Sequence, residues 1–206
     1  MIRENVRRTL SGWVALPSIL AAVVIGIVVL AVGATIEQPA LVVPAFFTIV
    51  GVTLLLSGLF TVQPNEAKVL TLFGKYSGSV KSDGFHWANP FLRKRRISLR
   101  IRNFESSKIK VNDHEGNPIE IAAVVVWRVV ETAEACFEVD DYSHYVQVQS
   151  EAAVRNLATQ YPYDAYVDGH KSLRGNTNEI AEQLKTEVQD RLSKAGVEVM
   201  EARISH

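Results

Sequence analysis

The residues with the most chemical character on this chain sit together in "DGFHWANPFLRKRR", Asp83 to Arg96. Phe85, Trp87 and Phe91 carry large aromatic faces, and Leu92, Arg93, Lys94, Arg95 and Arg96 follow with one apolar side chain and four positive charges. Aromatic rings beside a basic run fit three kinds of chemistry. They can stack on unpaired bases while the cations hold phosphates. They can enter a bilayer interface, where aromatic rings settle and each Lys or Arg near anionic lipid gains about 1 kcal/mol. Alternatively, Phe85 and Phe91 belong to a core and the arginines form a solvated face.

No other stretch offers a comparable concentration of function. Asp113, His114 and Glu115 place three possible metal ligands in one turn, but Gly116, Asn117 and Pro118 follow at once. Neither zinc nor EF-hand spacing is met, and the segment reads as a solvated hairpin loop. His86, His144 and His170 are isolated from one another, so each reads as a satisfied or surface histidine. There is no nucleophile elbow, no Ser-x-x-Lys, no glycine-rich phosphate loop and no Walker-type lysine. Glu182, Glu187 and Asp190 read as solvated partners of Lys185, Arg191 and Lys194. Cys136 is the one cysteine, so neither an internal disulfide nor a thiolate cluster is available, which suits a reducing compartment. The expectation is therefore no catalytic residue, no cofactor and no metal.

Lys plus Arg and Asp plus Glu both count 22, so the chain has no overall charge excess and any basic site must be local. That balance weakens the nucleic-acid reading. What strengthens the bilayer reading lies upstream. Trp13 to Ile36 and Ala40 to Val62 are free of charged residues, and each is long enough to cross a hydrocarbon core of about 30 Å as a helix. Only Glu37, Gln38 and Pro39 separate them, which predicts an antiparallel transmembrane hairpin. Arg3, Arg7 and Arg8 precede the first span and Lys68, Lys75 and Lys81 follow the second, while the connecting tip has no Lys or Arg. Both ends are thus expected on the cytoplasmic side. A cleaved signal peptide ending near "AVGA" competes for the first span, but its apolar run exceeds the usual 7–15 residues of an h-region. Gly26 with Gly33, and Gly51 with Gly58, are each seven apart and share a helix face that suits close packing.

The expected organisation is a cytoplasmic segment over 1–12, a membrane hairpin over 13–62 and a folded domain over 63–206. In the last, "EAKVLTLFGKY" reads as a strand buried on both faces. Arg96 to Val111 reads as a long extended segment, joined through "NDHEGNP" to the strongest strand, Ile119 to Val130. "TAEACFEV" is a helical turn. Asp140 or Asp141 caps a helix with Tyr145, Val148, Ala152 and Leu157 on its apolar face, and Pro162 stops it. A second helix runs from about Ser172 to Ala195 with Ile180, Leu184, Val188 and Leu192 four apart, and Gly196 leads into a closing strand. Strands first, helices next and one strand last predict an α+β domain with an antiparallel sheet.

Taken in order, "VQPNEAKVLTLFGKY", "DGFHWANPF", "VNDHEGNPIEIAAVVVWRV", "DDYSHYVQVQSEAAVRNLA" and "VQDRLSKAGVEVMEARI" resemble the SPFH domain of stomatins, prohibitins and flotillins, also called Band 7 or PHB. The similarity covers roughly Val62 to His206 and is nearest to stomatin-like bacterial proteins. It implies a non-catalytic scaffold in the cell membrane that forms homo-oligomeric rings or cages. Such a scaffold organises lipid microdomains and associates with partners such as membrane proteases, and no nucleic acid is implied. It also implies that Phe85, His86, Asn89, Pro90 and Phe91 lie against the bilayer. The expected membrane-contact set is therefore Phe85, Trp87, Phe91, Leu92, Arg93, Lys94, Arg95 and Arg96. The family's anchor is often a single span or re-entrant hairpin, whereas this chain reads as crossing twice. Many relatives also continue beyond the equivalent of His206 into a long Ala/Glu-rich helix that builds the cage wall. A membrane-tethered hydrolase and an oligomeric channel are the alternatives in other functional classes.

Overall fold

The computed structural model of the chain describes residues 4–36, 38–164 and 172–205. It divides into two compact units, Asn5–Ile97 and Ser98–His206, the latter with the first four residues of the chain.

The first unit opens with β1 (Leu10–Ser11), which runs straight into the apolar helix α1 (Gly12–Thr35). At 24 residues, α1 is about 36 Å long at 1.5 Å per residue and has a peak mean hydropathy of 2.8. It is long and apolar enough to cross a membrane. Helix α2 (Pro39–Leu56) packs beside it and starts with proline in its first turn, where the missing N–H costs nothing. Its 18 residues extend about 27 Å, a little less than a hydrocarbon core of about 30 Å. Gly26 and Gly33 are buried as their spacing predicts, and a Cβ at Gly26 would come within 2.8 Å of Ile49. Gly51, by contrast, faces open space.

The expected second span, Ala40 to Val62, is therefore two elements. The helix ends at Leu56, and Leu59–Val62 forms strand β2. Gly58 makes the change of direction possible, because a Cβ there would lie 2.3 Å from the Ala88 carbonyl oxygen and 2.7 Å from the Trp87 ring nitrogen. After it, Phe60 and Val62 turn inward as alternate residues of a strand. Strands β3 (Glu66–Leu72), β4 (Lys75–Val80), β5 (Gly84–Trp87) and β6 (Leu92–Ser98) complete the unit in two three-stranded sheets, ordered β1-β5-β2 and β4-β3-β6. Phe60, Val62, Leu70, Val80, Ala88 and Leu92 form its core.

In the second unit, β7 (Arg102–Glu105) and β8 (Ile109–Asn112) both pair antiparallel with the long β9 (Pro118–Val129), in registers Arg102 with Trp127 and Asn112 with Pro118. The expected single extended segment over Arg96 to Val111 is thus broken in two places. Around Ser98 the hydroxyl accepts the Arg100 N–H at 3.4 Å, and Ile101 is exposed instead of half-buried. Between β7 and β8, the buried Ser106 receives the Ala123 N–H on its hydroxyl at 2.9 Å while its own N–H donates to the Ala123 carbonyl. A side chain thereby replaces one rung of the ladder, which lets the strand kink without orphaning a buried donor.

Helices α3 (Thr132–Phe137), α4 (Tyr142–Gln160) and α5 (Thr177–Leu192) follow, and β10 (Val197–Ser205) closes the sheet beside β9. Asp141 caps α4 by accepting from the Ser143 and His144 N–H groups. The buried face of α4 is Val146, Ser150, Ala153, Val154, Leu157 and Ala158, with Val148 exposed. Of the expected apolar stripe only Leu157 lies in that face, which Ser150, Ala153 and Ala158 share with Val146 and Val154. Helix α5 buries Ile180, Leu184, Val188 and Leu192 as their spacing predicts, and Gly196 adopts the left-handed C′ conformation at φ 62°. The architecture is α+β with antiparallel sheets.

Candidate membrane-contact site

The aromatic and basic stretch folds into β5, a tight turn and β6. The turn follows from its sequence. Pro90 fixes the second position, the Asn89 carbonyl accepts the Leu92 N–H at 3.0 Å, and the Asn89 side chain accepts the Phe91 N–H at 3.0 Å. Phe91 therefore projects from the third position of the turn and is 67% exposed. Its ring stacks on that of Phe73, with centroids 6.4 Å apart and planes at 27°.

Phe73 was expected inside a doubly buried strand. It instead occupies the tip of the β3–β4 hairpin and is 88% exposed. Leu72 pairs with Lys75, so Phe73 and Gly74 form a two-residue loop with φ 48° and 85°. Positive φ at both positions is the geometry that matches strand twist, and it normally selects Asn, Asp or Gly at the first. A large aromatic held there against its backbone preference, fully in the open, is the residue that alternation concealed. Gly74 directly after an apolar run was its only signal in the sequence.

Phe85 and Trp87 are half-buried. Phe85 meets Trp13 edge-on, with centroids 5.7 Å apart, and lies over Gly12. Trp87 donates its ring N–H to the Leu55 carbonyl at 2.8 Å, satisfying one of the acceptors left over at the end of α2. Between them, His86 is held at both nitrogens. The Ser82 carbonyl, 3.1 Å from Nε2, can only accept, so Nε2 carries the proton and Nδ1 accepts from the Thr9 hydroxyl at 2.9 Å. It is the satisfied histidine that its isolation in sequence predicted. His144 is exposed, and His170 lies outside the described residues.

Leu92 departs from the expected contact set. At 4% exposure it is a core residue packed with Phe60 and Leu70. The basic residues divide along the strand. Arg93 and Arg95 are exposed. Lys94 points inward, donates to the Ser57 carbonyl at 2.9 Å and sits over the Phe60 ring at 5.5 Å. Its ammonium is held below the ordinary lysine value, first by burial and then by the nearby charge of Lys68. Arg96 pairs with Glu66, whose side chain is 3% exposed. Lys94 thus serves the fold, and Arg96 pairs with Glu66 while its own side chain stays 61% exposed; Phe73, Phe91, Arg93 and Arg95 present an aromatic and cationic surface.

Elsewhere the polar chemistry is structural. The buried Asp113 carboxylate accepts from the N–H groups of Glu115, Asn117 and Tyr163 and from the Asn117 side chain. Burial opposes its ionisation, but these donors outweigh it and hold the carboxyl below its usual value. Among the described residues no group of three or more His, Cys, Asp or Glu side chains could hold a metal ion. Cys136 is buried.

Comparison with known proteins bears on what such a surface serves. No curated protein matches the chain. A family model, that of the SPFH domain / Band 7 family, matches residues 60–206, which takes in β2 but for its first residue, β3 to β10 and every residue of the surface just described. The family comprises membrane-associated, scaffold-like proteins. On its match over most of its length, the chain belongs to the SPFH domain / Band 7 family.

Proposed function

We propose that this protein is a non-catalytic scaffold of the cell membrane, anchored by α1 and α2 with both chain ends on the cytoplasmic side. It homo-oligomerises there and organises surrounding lipid or a partner membrane protein such as a protease. The observation that carries this reading is the coexistence, in one compact unit, of a spanning-length apolar helix and the exposed Phe73, Phe91, Arg93 and Arg95 surface. The exposed side chains of α1 are almost all apolar and need a nonaqueous surrounding. Charge at the flanks supports the cytoplasmic placement, since Arg7, Arg8, Lys68, Lys75 and Lys81 all lie outside the two helices on the same side of the hairpin in sequence. For α2, whose 18 residues extend about 27 Å, anchorage alongside α1 is supported by its packing on that helix and by Trp87 closing its end.

Imaging of the full chain in nanodiscs tests this. The expected particle is a closed ring of many copies with the folded units on one membrane face. A uniform population of monomers would rule out the scaffold reading.

A further inference from the structure

The first unit contains a cleft of about 780 Å³ that the membrane-contact surface does not explain. One wall is the last turns of α2, where Gly51, Leu54 and Leu55 fall at i, i+3 and i+4 on one face. Trp87 and the turn carrying Phe91 form the opposite wall, and Arg7 and Arg8 stand at the rim. Nothing lies within 4 Å of a Cβ built on Gly51, so this glycine leaves room where the helix would otherwise present a side chain. A second groove of about 350 Å³ runs along α1 past Val14 and Ile19, and it shares Leu10 and Trp87 with the first. Two apolar grooves, one against each helix, therefore meet at the indole of Trp87.

The rim has the opposite character. Both arginines are exposed, and among the described residues neither has a carboxylate partner. Arg7 is steadied by a hydrogen bond to the Ser77 hydroxyl. Guanidinium groups without counter-ions, next to apolar grooves at the ends of two helices, complement an amphiphile with a negative head and two hydrocarbon tails. Planar forks of this kind take phosphate oxygens in pairs.

We propose that this cleft binds one anionic diacyl phospholipid. Its phosphodiester lies between Arg7 and Arg8, one acyl chain lies along the Gly51, Leu54 and Leu55 face, and the other lies in the α1 groove. The proposal rests on the membrane reading above and adds to it a defined lipid site.

The test uses the full chain in nanodiscs made from equal parts of phosphatidylglycerol and phosphatidylcholine, exchanged into mild detergent and weighed by native mass spectrometry. Wild type retains one phosphatidylglycerol in preference to phosphatidylcholine. Arg8→Ala lowers that retention about tenfold, as expected for loss of a charge-assisted pair. Gly51→Leu fills the cleft and abolishes retention. Equal retention of both lipids by wild type, or retention indifferent to Arg8→Ala and Gly51→Leu, overturns the site while leaving the membrane reading intact. A wild-type chain that does not co-float with membranes removes both.

Discussion

Asp113 shows how a residue suited to metal binding is claimed by the fold. Its two carboxylate oxygens are occupied by four donors, three of them backbone N–H groups, and one of those comes from Tyr163. Because its folded pKa lies below the ordinary carboxylate value of 3.8, its contribution to stability is fully present above that value. It is lost as pH falls through the depressed folded value. Asp113→Asn should therefore cost about 1–3 kcal/mol at neutral pH, and the gap from wild type should close on acidification below about pH 4. Thermal unfolding of the two proteins at pH 7 and pH 3 measures this, and a pH-independent gap would assign the loss to shape alone. Phe73 makes the complementary point. Carrying positive φ at a non-glycine residue costs on the order of 1 kcal/mol, and the Phe73 ring, exposed apart from its stack on Phe91, would recover it on entering a bilayer under the proposed function. A nitroxide at Phe73→Cys, in a Cys136→Ser background, should be more accessible to oxygen than to a water-soluble nickel chelate in nanodiscs. The reverse ratio would place the tip in water.

Elements were legible where one signal dominated. Helix α5 has its apolar residues at a single spacing with Gly196 after it, and the sequence marks both it and the closing strand β10, although a bulge between Val199 and Glu201 shifts the strand's alternation. Helix α4 is less legible, because half of its buried face is Ser150, Ala153 and Ala158, which carry less hydropathy than the Val146, Val154 and Leu157 beside them. The apolar run over Ala40 to Val62 hid a boundary for the opposite reason: helix and strand there are equally apolar, and only the backbone approach at Gly58 separates them. Of the contact set, the aromatic and basic character was visible, but the division between outward Arg93 and inward Lys94 depends on strand phase and on which neighbours demand charge. Gly58→Ala should then cost about 1–3 kcal/mol, since its new Cβ meets backbone and ring atoms that cannot both withdraw. It should also shift tryptophan emission as the Trp87 to Leu55 bond opens. Gly51→Ala, on the same polypeptide segment, should hold or raise stability. Equal losses at the two positions would show that the close approach at Gly58 does not set the cost.

At the scale of the whole chain, equal acidic and basic counts turned the reading away from nucleic acid before any element was known. The order of strands and helices sufficed for the α+β class, because each class is defined by succession more than by exact boundaries. What succession does not reveal is where the chain divides. The break at Ile97 and Ser98 falls inside a pattern of alternating apolar residues, so it reads as continuous strand. Within the second unit, the turn between β8 and β9 is fastened from a distance. Asp113 receives the Tyr163 N–H across 50 residues, and the His114 N–H reaches the Tyr161 carbonyl. A hairpin closed by its own two strands can form in microseconds, but this fastening must await the whole of α4. The fastening to Tyr161 and Tyr163, unlike the turn's own local bonds, should then form late, and Asp113→Asn should accelerate unfolding more than it slows folding, as the two arms of a chevron plot would show.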